Sequence, residues 1–175
     1  MIIQKFNDTI DIWIRELNRF NLVELLKKPD EQSWSLGQLY RHIIEDTNWY
    51  NGQIEASLKD VENTHVGITK DAKVLIESGS FPDEKIQGDP LMSEKVKQPL
   101  SKDEIKKGVE KLRSDTNIIW LKMQAARNIG KSEHPGFGFL NCFEWLRLSE
   151  IHMRHHLKQK QGIEGFLRPE NNGEI

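Results

Sequence analysis

The chain has 175 residues, the length of one ordinary domain, which can bury a core without needing disulfides or metal for stability. Lys and Arg number 25 against 27 Asp and Glu, so the formal net charge is −2. This balance argues against a nucleic-acid binder held by phosphate contacts and gives no global attraction to an anionic membrane. With 30% charged residues, a mean hydropathy of −0.64, no apolar run near the ~18 residues of a membrane span and one cysteine, a soluble globular protein of a reducing compartment is expected, by default the cytoplasm. The N-terminus interrupts its apolar residues with Lys5, Asp8 and Asp11, unlike a signal peptide.

Four segments carry a helical period, and nothing long alternates as a strand would. The first runs from about residue 3 to 27 on a stripe of Ile3, Phe6, Ile10, Trp13, Leu17 and Phe20, with Pro29 as its stop. A capping box of Ser35 and Gln38 opens the second, which continues through Leu39, Ile43, Tyr50 and Ile54 to about residue 60. Between the second and third lie some 40 residues (about 61–100) rich in Gly and Pro, with a short helical piece around Asp71–Glu77. So long a connection is expected to cover a functional end of the domain or to cross its surface. Ser101 and Glu104 open the third segment, which carries Ile105, Val109, Leu112, Ile119 and Met123 to a stop near Gly130. The fourth starts at Asn141, with Glu144 three residues on, and ends near Gly162. The expected fold is all-α: a four-helix bundle with a long connection between helices 2 and 3, a single domain over 1–167 and a polar tail over 168–175.

Three of the six histidines fall near the end of the fourth segment. At about 100° per residue, His152 and His156 lie about 40° apart within the apolar arc, while His155 falls on its polar edge. An H-x-x-x-H pair on one helix face can direct two imidazoles at one metal. Such pairs are also common accidents, and histidines near a helix C-terminus interact favourably with its dipole. His42, in a polar column with Asp46 and Gln53 beside the apolar stripe of the second segment, is the candidate third ligand. Its spacing alone fits better a histidine hydrogen-bonded between helices. Asp46 is a candidate fourth ligand, orienting acceptor, general base or plain solvated residue.

Other residues carry weaker signals. His65 sits in the long connection and is expected to be exposed. The glycines of His134-Pro135-Gly136-Phe137-Gly138 match no phosphate loop and are expected to set backbone geometry. Cys142, at the start of the fourth helix, is either a thiol activated by the dipole or a packing residue. The five tryptophans are expected to be mostly core.

W-S-L-G-Q-L-Y-R-H, ending in His42, and the long motif from His134 through His152, His156 and Gln159 together resemble the DinB-like (DinB/YfiT-type) proteins of bacteria. The resemblance covers nearly the whole chain. It implies a bundle of that topology in which His42, His152 and His156 hold a divalent metal, zinc or nickel, and it implies a homodimer. It also implies a metal-dependent enzyme acting on a small molecule, with a metal-activated low-molecular-weight thiol as cosubstrate of a transferase. The alternatives are a hydrolase using metal-bound hydroxide and a non-enzymatic dimeric bundle that binds metal or a small ligand.

Overall fold

The computed structural model describes residues 1–59, 61, 63–81 and 96–168, and these are predominantly helical. The 3–4 spacing of the N-terminal stripe produces α1 (Ile2–Leu17), which buries Ile3, Phe6, Ile10, Trp13 and Leu17. The single helix expected over 3–27 is in fact broken. Asn21 accepts a hydrogen bond from the Glu24 amide while the Glu24 carboxylate receives the Asn21 N–H, and this box starts a new short helix, α2 (Leu22–Leu26). The second segment becomes α3 (Leu36–Lys59), with the Ser35–Gln38 capping box formed as its sequence indicates. Within the long connection, α4 (Lys70–Ser78) is capped by the Thr69 hydroxyl and closes on Gly79, whose φ of 70° suits a residue without a side chain. The remainder of that connection from 82 to 95 lies outside the described residues, as does the polar tail from 169 onward.

Ser101 caps α5 (Lys102–Ala125), but Glu104 reaches the Leu100 amide instead of closing a box on Ser101. This helix stops at Ala125, short of Gly130, because Ala126 turns extended. A small antiparallel hairpin follows, β1 (Ser132–His134) and β2 (Gly138–Leu140), which the sequence pattern did not reveal. Gly138, at φ 79°, lies so close to the Gly67 carbonyl that a Cβ there would be 2.9 Å from it; here glycine does set the backbone geometry. Finally α6 (Cys142–Leu167), opened by the Asn141–Glu144 capping box, continues past Gly162. Buried Ile163 and the Lys160–Glu164 ion pair hold its last turns and outweigh the glycine's poor helix propensity.

The helix α3 packs against α6 and α5, and α1 packs against the same two. Trp13 and Trp145 are fully buried in the shared core, but Trp49 is 41% exposed and Trp34 and Trp120 are half-buried, so the tryptophans divide between core and rim. Among the described residues no helix is long and apolar enough to cross a membrane.

The first turn of α3 is pressed from two sides. A Cβ on Gly37 would sit 2.8 Å from the Pro99 ring and 2.9 Å from the Leu25 carbonyl oxygen. Gly37→Ala should therefore destabilise the protein by about 1–3 kcal/mol through overpacking, although alanine is favoured over glycine in helices by about 1 kcal/mol. Urea unfolding checks this; an unchanged or raised midpoint would show that the contact relaxes freely.

Candidate metal centre

The antiparallel packing of α3 on α6 brings His42, from the polar column beside the apolar stripe of α3, together with the inward pair His152 and His156. His42 Nε2 lies 3.1 Å from His156 Nε2, which lies 3.1 Å from His152 Nε2, and the three candidate ligand atoms are all within 4.8 Å of one another. A tetrahedral ion with nitrogens at about 2.0–2.1 Å would space its ligands about 3.3–3.4 Å apart, so the three-histidine group has the dimensions to hold a metal ion.

Hydrogen-bond partners on the far sides of the rings strengthen this fit. His156 Nδ1 is 2.8 Å from Gln159 Oε1, an acceptor that favours the tautomer with its proton on Nδ1 and an unprotonated Nε2 turned inward. His42 Nδ1 faces Asp46 Oδ1 at 3.5 Å, which favours the same tautomer. In that tautomer the two inward lone pairs, 3.1 Å apart, repel unless a cation lies between them; with a proton on either nitrogen they share a hydrogen bond. Asp46 Oδ2 is also 3.5 Å from His152 Nε2, so this carboxylate spans two of the three rings.

Burial keeps the cluster uncharged. Desolvation lowers His42 to about 4 and His156 to about 3, with the neighbouring His42 adding to the effect on His156. His152 is pushed well down by burial and then by the other imidazoles. Desolvation, with Glu45 nearby, raises Asp46 to about 6.

Aromatic rings border the cluster. Trp34 lies against His42 with centroids 4.8 Å apart, Tyr50 meets His152 edge-on at 5.6 Å, and Phe81 packs against His155 at 4.9 Å and His152 at 6.5 Å. Phe81 follows α4 and belongs to the long connection, whose C-terminal portion returns to α3 where Gln38 donates to the Val96 carbonyl.

His155 stands outside the three-histidine group, as its polar-edge position indicated. His65 is exposed. His134 sits in β1 and accepts the Gly136 amide at Nδ1, between Trp49 and Phe137. Gln53 contributes its backbone carbonyl to Ser132. Cys142 is fully buried, and burial raises its thiol to about 11, so the helix dipole does not activate it. Sequence reasoning had valued Gln159 only as part of a motif; its three-residue spacing from His156 was the available signal for a direct contact. Trp34 and Phe81 carried no comparable signal.

No family model matches the sequence, and searches of curated proteins and of solved structures likewise find no match.

Two outcomes follow from this geometry. His156→Ala should weaken zinc binding by about 100-fold or more, since even outer partners of a ligand are typically worth 10–100-fold, whereas His155→Ala should leave it within about threefold. Competition titration with a zinc indicator measures both, and equal losses would mean that the wrong neighbour has been chosen. The second concerns acid. Each of the three histidines titrates below the ordinary value of 6.5 in the fold, so the unfolded chain takes up protons first as pH falls. Asp46, raised from 3.8 to about 6, acts in the opposite sense, since its protonation in that range favours the fold. Three imidazoles outweigh one carboxyl, so the metal-free protein should lose stability between about pH 6.5 and pH 4. A His42→Gln, His156→Gln double variant should lose less over the same range in urea unfolding. An undiminished loss would place its origin elsewhere.

Proposed function

We propose that the chain is a divalent-metal-dependent enzyme of the DinB-like kind: a four-helix bundle of α1, α3, α5 and α6 that works as a thiol-dependent transferase. His42, His152 and His156 would hold zinc or nickel. The single observation that carries this reading is the convergence of the three Nε2 atoms, two of whose rings have an acceptor on the far side. Three neutral ligands leave a divalent charge uncancelled and positions open for a small molecule. A bound divalent ion supplies Lewis acidity, which keeps a coordinating thiol ionised at neutral pH.

The chain's own residues then divide the work. Asp46, within reach of two of the rings, accepts the proton of the incoming thiol. The sulfur forms its bond to the electrophilic carbon of the second substrate, and the leaving group departs with the electron pair of the bond that breaks. Trp34 and Phe81, on the His42 and His155 sides of the cluster, form walls that limit water around the reacting groups. The polypeptide brings no thiol of its own to the site, since Cys142 is buried at the start of α6, so the thiol is a small molecule.

Asp46 favours one further reading, because the same carboxylate can take a proton from water and so serve a hydrolase. Metal-loaded protein assayed against model electrophiles, with and without a panel of low-molecular-weight thiols, separates the two. Turnover that requires thiol and falls about 100-fold or more in Asp46→Asn supports the transferase. Thiol-independent hydrolysis supports the second reading. No turnover, together with no thiol-induced change in the visible spectrum of a cobalt-substituted site, would leave a binding protein.

A further inference from the structure

Three buried side-chain atoms have no hydrogen-bond partner among the described residues: Thr47 Oγ1, Ser149 Oγ and His152 Nδ1. All three lie on α3 and α6, the two helices that carry the histidine cluster. Along the antiparallel α3–α6 contact, His42 meets His156, Asp46 meets His152, and Tyr50 meets Trp145. Thr47 lies between Asp46 and Tyr50 on α3, and Ser149 lies between His152 and Trp145 on α6, so the two hydroxyls fall at the same level of the contact. Ser149 and His152, three residues apart on one helix, are neighbours on its surface. Thr47 is 0% and Ser149 1% exposed, so bulk water reaches neither.

Leaving one buried donor or acceptor unpaired costs about 1–3 kcal/mol, and three together beside a ligand cluster are not expected in a well-packed core. Helical serines and threonines often satisfy themselves by donating to a carbonyl one turn back, but neither hydroxyl does so here. A single water commonly makes about three hydrogen bonds to otherwise unsatisfied buried groups, and the number of atoms here matches. We propose that Thr47 and Ser149 hold one internal water that accepts the Nδ1 proton of His152, which makes both hydroxyls positioning residues for that ring.

With this water in place all three histidines carry an acceptor on the outer nitrogen: a carboxylate for His42, an amide for His156 and a water for His152. Each ring is then held in the tautomer that turns an unprotonated Nε2 inward. The consequence for metal affinity rests on the metal-centre reading above, but the water site does not.

The test uses the full chain, zinc-free and zinc-loaded. Long-range 15N–1H spectra report which nitrogen of His152 carries the proton, and a high-resolution crystal structure shows whether a water lies within hydrogen-bond distance of the three atoms. The water and an Nδ1–H tautomer are expected in the wild type and in Thr47→Ser, which keeps the hydroxyl. In Thr47→Val combined with Ser149→Ala the His152 Nδ1 resonance should shift and the zinc dissociation constant should rise about tenfold or more. If that double variant does not fold, the two single variants and the wild-type crystal decide. Absence of the water, or a His152 resonance indifferent to loss of the hydroxyls, overturns the proposal. Failure of the wild type to take up zinc would refute the metal centre alone, because the zinc-free spectra and crystal still judge the water site.

Discussion

Two ring nitrogens, His42 Nε2 and His156 Nε2, stand 3.1 Å apart across the contact of α3 and α6, each with a polar partner on the far side of its ring. The fold must supply the force that keeps His42 and His156 in this arrangement, and it does so by fixing α3 and α6 independently of the histidines. At the level of the cluster the two helices share buried Ile43, Tyr50, Trp145 and Met153, and Trp13 of α1 donates its indole N–H to the Met153 carbonyl. Tyr40, on α3, donates to the Trp13 backbone carbonyl, so one residue of α1 ties into both histidine-bearing helices. Apolar packing holds the scaffold, and the polar cluster is a load upon it.

The face of α6 turned away from the histidines sets how that helix is rotated. Glu150 is only 2% exposed, and its carboxylate receives the Thr9 hydroxyl and the guanidinium groups of Arg147 and Arg154. Nearly three turns further on, buried Lys160 bridges Glu16 of α1 and Glu164 of its own helix. Buried ion pairs contribute little net stability compared with apolar packing, but breaking one is costly, so they select one arrangement over its near alternatives. At about 100° per residue, Glu150 and His152 lie about 160° apart around the helix. A rotation that displaced the imidazoles would therefore also uncouple a buried carboxylate. Arg154 extends the same constraint to α4 by donating to the Gly79 carbonyl, two residues before Phe81 reaches the rings.

The helices that build the site were legible because their ends carry local chemistry that tertiary packing reinforces. Ser35, Ser101 and Asn141 each cap the helix they were expected to open, and helical arithmetic alone placed His156 inward and His155 outward. Features governed by competition between local signals were not legible. The apolar stripe through Phe20 suggested one helix, yet the reciprocal bonds of Asn21 and Glu24 begin a second. Gly162 resembled a stop, but Ile163 finds a buried place and the helix continues. The hairpin strands are three residues each, too short for a period of two to stand out. At the cluster, the histidine spacing was periodic and could be read, whereas the neighbouring aromatic rings could not. Trp34 and Phe81 arrive from segments whose direction depends on long-range contacts.

The burial of Cys142 has a consequence for the reactivity of the whole chain. With its thiol raised to about 11, only about one molecule in ten thousand carries the thiolate at neutral pH, and no part of the side chain is exposed. Because this is the chain's single cysteine, an alkylating agent finds no accessible sulfhydryl on the folded protein. The same property makes the chain a clean background for labelling. A cysteine introduced at an exposed position, such as Val23 or Leu121, would be the one group to take up a maleimide dye, so distances within the folded protein could be measured without first removing a native thiol.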